Sequence, residues 1–254
     1  MTFRGRWYLR IHPLIARVDS RIRPEWVVNR ASLSNIYNYC YFRLPKCANS
    51  TVIKTLISHD FSFYGYDVND SIKLLKRSFP NLLHARALSL KGFVERYRTF
   101  AFVRNPYVRV LSAYLDKIVN ADKGQYSYVA RALRLPETNQ ASFSQFISFL
   151  QQNGLYKNPH WAPQRLLLPL DVDKLTWLGT VENIYNDLHR IIDGIWGAGA
   201  YENVFSREDR RQGANEKLAL YYTEDLAQKV YELYQDDFYA FGYSKDLNPE
   251  SSSK

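Results

Sequence analysis

The sequence has little cysteine and no long apolar run. Its 254 residues include only two cysteines, Cys40 and Cys47, too few for a disulfide framework and without the spacing of a zinc site. A reducing compartment and no bound metal are therefore expected. No stretch approaches the roughly 18 apolar residues of a membrane span, and the basic amino terminus lacks a signal-peptide core. We expect a soluble chain, although a catalytic domain trimmed of an anchor would look the same.

Glycine-rich phosphate loops are absent as well. The Walker A pattern GxxxxGK[ST] does not occur, which counts against a nucleoside-triphosphate kinase. Positive charge is in excess, because 34 basic and 25 acidic residues give a formal net charge of +9. This charge favours a polyanionic partner, which can be a nucleic acid, a nucleotide, an acidic glycan or an anionic lipid.

The order of elements predicts an α/β fold in a single domain over residues 1–254. Strands are predicted at 37–42, 99–104 and 175–182, and residues 82–88 fit either a strand or a short helix. Helices are predicted at 52–61, 106–119, 141–154, 183–196 and about 216–238. This alternation indicates a central parallel β-sheet flanked by helices. Residues 1–36 are expected to wrap the surface, 37–243 to form the core and 244–254 to be a loose tail.

The junction TFAFVRNPYVRVLSAYLD, residues 99–116, joins an apolar strand to a helix. Asn105 is a favourable N-cap and Pro106 suits the first helical position, so the helix is predicted to begin there. Arg104 then lies at the carboxyl edge of the sheet, where α/β proteins bind ligands, and its guanidinium suits a phosphate. Ser112, farther along the helix, would share that phosphate. The structural alternative is an ion-paired arginine and a serine bonded to its own helix.

A second strand-to-helix loop, RLPKCANST at 43–51, also has the features of an anion site. Free backbone N–H groups and the helix dipole favour negative charge at a helix start. Lys46 adds a point charge, while Asn49, Ser50 and Thr51 add short hydrogen-bond donors. Taken alone, such a loop is more often simply a capped helix start.

Together, the two loops resemble those of the sulfotransferase superfamily, in which PK-x-x-x-[ST] precedes FVRNPYxRxxSAY. The resemblance implies a P-loop-kinase-like fold, 3′-phosphoadenosine 5′-phosphosulfate (PAPS) as donor and the 3′,5′-bisphosphate PAP as product. Arg104 and Ser112 would hold the 3′-phosphate, and the first loop would hold the 5′-phosphosulfate. The first-loop positions are Arg43, Pro45, Lys46, Cys47, Ala48, Asn49, Ser50 and Thr51.

Three later segments extend the resemblance to the Golgi carbohydrate sulfotransferases of the chondroitin and HNK-1 group. They are HWAPQ at 160–164, LGTVENIYNDL at 178–188 and DDFYAFGY at 236–243. They imply a glycan acceptor, and the net charge fits an anionic or uronate-containing polysaccharide. Unlike that group, the chain has RLLLPL in place of cysteines after its PQ segment, and no membrane anchor is expected. A cytoplasmic bacterial enzyme is therefore predicted, with a Golgi-type catalytic domain as the alternative.

The resemblance also implies an in-line transfer in which positioning and charge stabilisation dominate. Lys46 would stabilise charge on the transferred group, and a histidine would accept the proton of the acceptor hydroxyl. His84 is the first candidate base, because it ends a predicted strand at a place similar to that of the catalytic histidine of the uronyl 2-O-sulfotransferases. His160, in HWAPQ, and then Glu182 are the other candidates.

A late basic loop, SREDRRQGANEK at 206–217, matches a superfamily segment that closes over the donor. The resemblance implies nucleotide contacts from Arg211, Gly213 or Asn215, and a solvated charged loop is the alternative. Three rival functions stay open: a nucleic-acid-binding protein, a P-loop-like nucleotide kinase and a catalytically inactive glycan-binding relative. The sequence has no recognisable nucleic-acid-binding motif and no clustered basic patch, so no nucleic-acid partner is predicted.

Overall fold

The computed structural model describes residues 12–60, 65–87, 89–120, 127–136, 141–201, 214 and 217–247. Within them the strands are β1 Ala31–Ser34, β2 Tyr39–Phe42, β3 Arg98–Val103 and β4 Trp177–Thr180. The α-helices are α1 Pro24–Val28, α2 Asn49–His59, α3 Ile72–Ser78, α4 Leu90–Arg96, α5 Pro106–Tyr114, α6 Ser127–Ala132, α7 Phe143–Phe149, α8 Ile184–Trp196, α9 Leu218–Tyr221, α10 Glu224–Leu233 and α11 Gln235–Phe241.

The chain divides into two compact units. Unit 1 comprises Met1–Val103 and Leu166–Asp209, and unit 2 comprises Arg104–Arg165 and Arg210–Lys254. The loop at 43–51 therefore belongs to unit 1, whereas Arg104 and Ser112 belong to unit 2.

Unit 1 is built on a sheet of order β1-β2-β3-β4. Strands β2, β3 and β4 are parallel, with Phe42 opposite Ala101 and Phe100 opposite Trp177. This confirms the predicted α/β class with a mostly parallel sheet flanked by helices. Apolar and aromatic side chains fill the strands, and the Tyr41 and Phe100 rings stack with centroids 4.9 Å apart. The carboxyl ends of the three parallel strands share one edge, where ligands bind in such sheets.

Strand β1 was not predicted. It runs antiparallel to β2, with Ala31 opposite Phe42 and Ser34 opposite Tyr39. Its sequence, ASLS, has two serines and only four residues, so it carries no strand pattern, yet all four residues are buried. The segment expected only to wrap the surface thus contributes an edge strand, and its position is decided by pairing with β2 rather than by local preference.

Unit 2 is helical, with a core formed mainly by α5, α7, α10 and α11. As predicted, α5 begins at Pro106, where the side chain of the N-cap Asn105 accepts a 2.9 Å hydrogen bond from the Tyr107 N–H. A wider π-type turn extends α5 through Val119, whereas the chain after α7 leaves helical geometry at Gln152 and Asn153. Helix α6 lies in a stretch for which no element was predicted, and the final predicted helix is three helices, α9 to α11.

Candidate active site

The loop after β2 makes a tight turn without glycine. Lys46 and Ala48 both have left-handed backbone conformations, with φ of 69° and 51°. Left-handed residues in a short loop before a helix are a feature of anion-binding nests, in which backbone N–H groups converge. Ala48 is the N-cap of α2, so the free N–H groups of that helix start directly after the turn. The loop therefore offers backbone donors beside the Lys46 ammonium.

Asn49 holds this loop in shape through both ends of its side-chain amide. The Tyr41 hydroxyl donates to Asn49 Oδ1 at 2.7 Å, and Asn49 Nδ2 donates to the Leu44 carbonyl at 2.9 Å. The start of α2 is thereby tied to β2 and to the start of the loop. These contacts give Asn49 a positioning role, whereas the sequence suggested a direct donor to the ligand.

Arg43 anchors the base of the loop instead of facing outward. Its side chain is buried at 8% exposure, and burial lowers the pKa of its guanidinium to about 10. Three of its N–H groups donate to backbone carbonyls, those of Arg30, Lys76 and Asn29, at 3.1, 3.2 and 2.6 Å. These bonds give the Arg43 side chain a structural role in the loop, and its contact with the donor stays a prediction.

The other loop residues differ in how accessible they are. Pro45 and Cys47 are buried, and the Cys47 thiol donates to the Pro45 carbonyl at 3.6 Å. Lys46 and Thr51 are half-buried, and Ser50 is exposed. The side chains that can reach a ligand are thus those of Lys46, Ser50 and Thr51.

Substitution of Ala48 tests the strained turn. Replacing Ala48 with glycine is expected to raise the free energy of unfolding by up to about 1 kcal/mol, because a left-handed alanine is strained and a glycine is not. Ala48→Val should lower it by about 1–3 kcal/mol, since a β-branched side chain fits this conformation poorly. Urea unfolding of the two variants measures both changes; equal stability of glycine and valine at position 48 would contradict the left-handed assignment.

In unit 2, the backbone of Arg104 is fixed by Gln164. The Arg104 N–H donates to Gln164 Oε1, and Gln164 Nε2 donates back to the Arg104 carbonyl, both at 2.9 Å. This reciprocal pair orients the residue that follows β3 in the chain. The Arg104 side chain is half-buried.

Gln164 is in turn held by a buried carboxylate, that of Asp237 in α11. The N–H groups of Gln164 and Arg165 donate to the two Asp237 oxygens, each at 2.7 Å. Burial raises the pKa of Asp237, and the nearby Arg109 guanidinium opposes that rise. Asp237 and Gln164 are both 0% exposed. The segments HWAPQ and DDFYAFGY therefore meet, and together they position Arg104.

Arg109 completes this buried network from α5. Its guanidinium donates to the carbonyls of Ala162 and Pro159, at 2.9 and 3.2 Å. Sequence reasoning assigned no role to Arg109, Gln164 or Asp237. A charge inside the otherwise apolar run of α5 was the available signal for Arg109, because buried arginines need acceptors.

Ser112 lies on α5, every residue of which is buried, and is itself 1% exposed. Its contact with a 3′-phosphate stays a prediction. The late-loop residues Arg211, Gly213 and Asn215 lie outside the described residues.

His84 lies near the amino end of β2, whereas the 43–51 loop follows the carboxyl end of that strand. It ends a single 3₁₀ turn, Leu82–His84, and not a strand. The His84 carbonyl accepts a hydrogen bond from Asn35 Nδ2 at 3.2 Å, and Asn35 follows Ser34, which pairs with the first residue of β2. The four residues of β2, about 3.3 Å each, thus separate His84 from the loop. This position does not support His84 as the base beside Lys46.

The backbone and ring of His160 both contact the Asn158 side chain. Asn158 Oδ1 accepts from the His160 backbone N–H at 3.0 Å and lies 2.7 Å from His160 Nδ1. Because that oxygen only accepts, a neutral ring carries its hydrogen on Nδ1 and has a lone pair on Nε2. His160 is half-buried and lies in the same segment as Gln164. Glu182 is exposed in the turn after β4.

The family model described as "Sulfotransferase family" matches residues 31–244. The chain belongs to the sulfotransferase family. Among curated relatives, carbohydrate sulfotransferase 14 of Danio rerio is 25% identical over 81% of this sulfotransferase and 59% of the relative. Carbohydrate sulfotransferase 12 of Mus musculus is 23% identical over 83% and 58%. Carbohydrate sulfotransferase 14 of Homo sapiens is 26% identical over 64% and 46%.

The sulfotransferase spans about half the length of these relatives. No solved structure gives a significant match. The predicted membership of the superfamily and the likeness to carbohydrate sulfotransferases are confirmed. The relatives come from vertebrates, so they give no support to the predicted bacterial origin. In the part of the chain that the structure describes, no helix is both long and apolar enough to cross a bilayer.

Proposed function

We propose that this sulfotransferase moves a sulfuryl group from PAPS to a hydroxyl of a carbohydrate. The observation that carries the proposal is the left-handed turn at Lys46 and Ala48, which follows β2 in a chain matched by the family model. Relatives named carbohydrate sulfotransferases support a glycan acceptor. The net charge of +9 favours an acceptor that is anionic, such as a uronate-containing polysaccharide.

The donor set of the two loops fits PAPS, because backbone N–H groups, a lysine and an arginine suit its anionic groups. When bound, PAPS supplies an activated sulfuryl group. Lys46 would bind and neutralise negative charge at the 5′ end, while Asn49 and Arg43 keep the loop in shape. Arg104 and Ser112 would bind the 3′-phosphate, with Gln164 holding the arginine backbone.

We propose His160, in place of His84, as the base that accepts the proton of the acceptor hydroxyl. Asn158 Oδ1 lies 2.7 Å from Nδ1 of His160, which favours the tautomer with its hydrogen on Nδ1 and makes Nε2 the basic nitrogen for an acceptor hydroxyl. Glu182 stays the third candidate.

The histidine assignment gives a prediction. His160→Ala is expected to lower turnover by about 100-fold or more, since a positioned base contributes that much, with PAP affinity unchanged. His84→Ala should retain near wild-type turnover. Steady-state kinetics with PAPS, together with calorimetry on PAP, measure both. Loss of turnover in His84→Ala but not in His160→Ala would overturn the reassignment.

Nucleotide affinity tests the donor directly. Calorimetry with PAP and with ATP is expected to show tighter binding of PAP, because only PAP carries a 3′-phosphate for Arg104. Tighter binding of ATP would instead indicate a nucleotide kinase. Binding of PAP without transfer to any glycan would indicate the inactive glycan-binding relative.

The compartment is also part of the proposal. The vertebrate relatives favour the alternative stated from the sequence, a Golgi-type catalytic domain, over a cytoplasmic bacterial enzyme.

A further inference from the structure

Two large aliphatic side chains are exposed near the amino end of β2. Ile36 is 67% exposed in the turn between β1 and β2, and Leu83 is 45% exposed in the 3₁₀ turn that precedes α4. The two turns are in contact, because Asn35 Nδ2 donates to the His84 carbonyl at 3.2 Å. Ile36 follows Asn35 and Leu83 precedes His84, so the two aliphatic side chains flank one contact. Exposed apolar residues that lie together are a feature of interaction surfaces.

Tyr97 brings three arginines to the same place. Its hydroxyl donates to Asn35 Oδ1 at 2.5 Å and accepts the Arg86 backbone N–H at 2.7 Å. Arg98 is the next residue in the chain, and the Arg96 guanidinium lies 5.8 Å from the Tyr97 ring centroid. Tyr97 is buried, whereas all three arginines are exposed. One surface, the amino-end face, therefore consists of Ile36, Leu83, Arg86, Arg96 and Arg98.

The positive charge of the amino-end face is not neutralised locally. Within the described residues, none of its three arginines forms an ion pair. The carboxylate next to them in the chain, that of Glu95, lies 3.8 Å from the Lys91 ammonium instead. Guanidinium groups bind phosphates and carboxylates, so this face suits an anionic partner.

The amino-end face and the donor loop are at opposite ends of β2. Arg98 begins β3, and its backbone N–H donates at 2.8 Å to the carbonyl of Asn38, the residue before β2. The loop at 43–51 follows the carboxyl end of the same strand. A partner can therefore bind the amino-end face while the loop binds its ligand.

The amino-terminal residues join the described chain beside this face. Burial lowers the pKa of His12 and the Leu82 backbone opposes that shift, so His12 lies near the turn that carries Leu83. Residues 1–11, MTFRGRWYLRI, contain three arginines and three aromatic residues. Basic residues combined with aromatic ones are typical of segments that meet the interface of a lipid bilayer.

We propose that the amino-end face docks on the surface of an anionic lipid membrane. In this arrangement Ile36 and Leu83 enter the boundary between headgroups and acyl chains, and the three arginines bind lipid phosphates and carboxylates. The aliphatic pair favours a lipid surface over a soluble polyanion, which would be held by the charges alone. The inference goes beyond the proposed reaction, because it gives the sulfotransferase a membrane surface as the place where it works.

Vesicle binding tests the arginines. The purified 254-residue chain would be sedimented with vesicles of phosphatidylcholine, with and without phosphatidylserine. We expect the wild type to bind only the vesicles with phosphatidylserine. Each basic residue near such a surface contributes about 5-fold, so Arg86→Gln/Arg96→Gln/Arg98→Gln should bind about 100-fold more weakly. No binding of the wild type to the anionic vesicles would overturn the inference.

The matched control is Lys73→Gln/Arg77→Gln/Lys157→Gln. It removes three exposed charges elsewhere on the protein, so its net charge equals that of the triple arginine variant. Its vesicle binding should stay within a few-fold of the wild type. Equal weakening of the two variants would mean that the net charge and not the amino-end face binds the vesicle.

The aliphatic pair separates a membrane from a soluble polyanion. Ile36→Ser/Leu83→Ser should weaken vesicle binding by about 10-fold and leave binding to heparin unchanged. Leu74→Ser/Leu220→Ser is the control, at leucines 46% and 79% exposed. Equal vesicle binding by the two serine variants, or arginine-dependent binding of the wild type to heparin but to no vesicle, would contradict a lipid partner. The serine variants also keep the test valid if the triple arginine variant does not fold.

These outcomes are separable from the proposed function. Sulfate transfer to a soluble glycan should be equal in the wild type and the variants of the amino-end face, because the donor loop is at the other end of β2. Transfer without vesicle binding would remove only the membrane surface from the account. Vesicle binding through the face, without transfer by the wild type, would instead remove the catalytic proposal.

Discussion

Lys46→Ala is expected to lower the rate of sulfuryl transfer by about 100- to 1,000-fold, the usual cost of removing one group that stabilises developing charge. Lys46 is the one lysine in the loop at 43–51, where the chain enters α2 through a left-handed turn. Alanine keeps the Cβ and the backbone preference at this position, so the loop should keep its shape. The loss should therefore appear in transfer itself and not in folding.

Single-turnover kinetics with PAPS and a saturating glycan measure this loss. Lys91→Ala is the matched control, because its side chain is 85% exposed and its ion pair with Glu95, at 3.8 Å, is a surface contact worth little. Thermal unfolding of both variants should be close to that of the wild type. Transfer by Lys46→Ala within a few-fold of the Lys91→Ala rate would contradict the role given to Lys46.

Asp237→Ala is expected to lower the free energy of unfolding by about 3–5 kcal/mol, as the loss of a buried, charge-bonded partner usually does. The carboxylate accepts two 2.7 Å hydrogen bonds from the backbone of the Gln164 segment. Without it, two buried N–H groups have no acceptor and the Arg109 guanidinium loses its nearby negative charge. The segment that orients Arg104 should loosen as a result.

Asp236→Ala is the natural control, since Asp236 is the neighbouring residue of α11 and is exposed. Asp236→Ala should lower the free energy of unfolding by less than about 1 kcal/mol, which is the usual contribution of an acidic side chain in the first turn of a helix. Urea unfolding compares the two variants, and calorimetry on PAP tests whether Asp237→Ala also weakens the nucleotide through Arg104. Equal destabilisation by the two substitutions would contradict the buried network.

The strand-to-helix junctions could be predicted because their signals are local. The Asn-Pro pair at 105–106 determines the start of α5 through a cap and a fixed φ, and both act within a few residues. The loop after β2 could be placed for the same reason. Its left-handed turn at Lys46 and Ala48 could not, because neither residue type prefers that conformation and the surrounding contacts impose it.

The rest of the candidate site depends on contacts between distant parts of the sequence. Gln164 and Asp237 are 73 residues apart, so no local pattern reveals that one holds the other. His84 resembles a family base by its distance from Arg104 along the chain, but the pairing of β1 with β2 determines the edge at which it lies. Spacing along the chain therefore could not show at which end of β2 His84 lies.

The most direct test of the account is transfer of labelled sulfate from PAPS by the wild-type protein onto a panel of uronate-containing, neutral and small-molecule acceptors. We expect label in the glycan fraction, most strongly with uronate-containing acceptors, and no phosphate transfer from ATP to the same sugars. Phosphate transfer from ATP, or sulfate on small molecules but on no glycan, would contradict the assignment as a carbohydrate sulfotransferase.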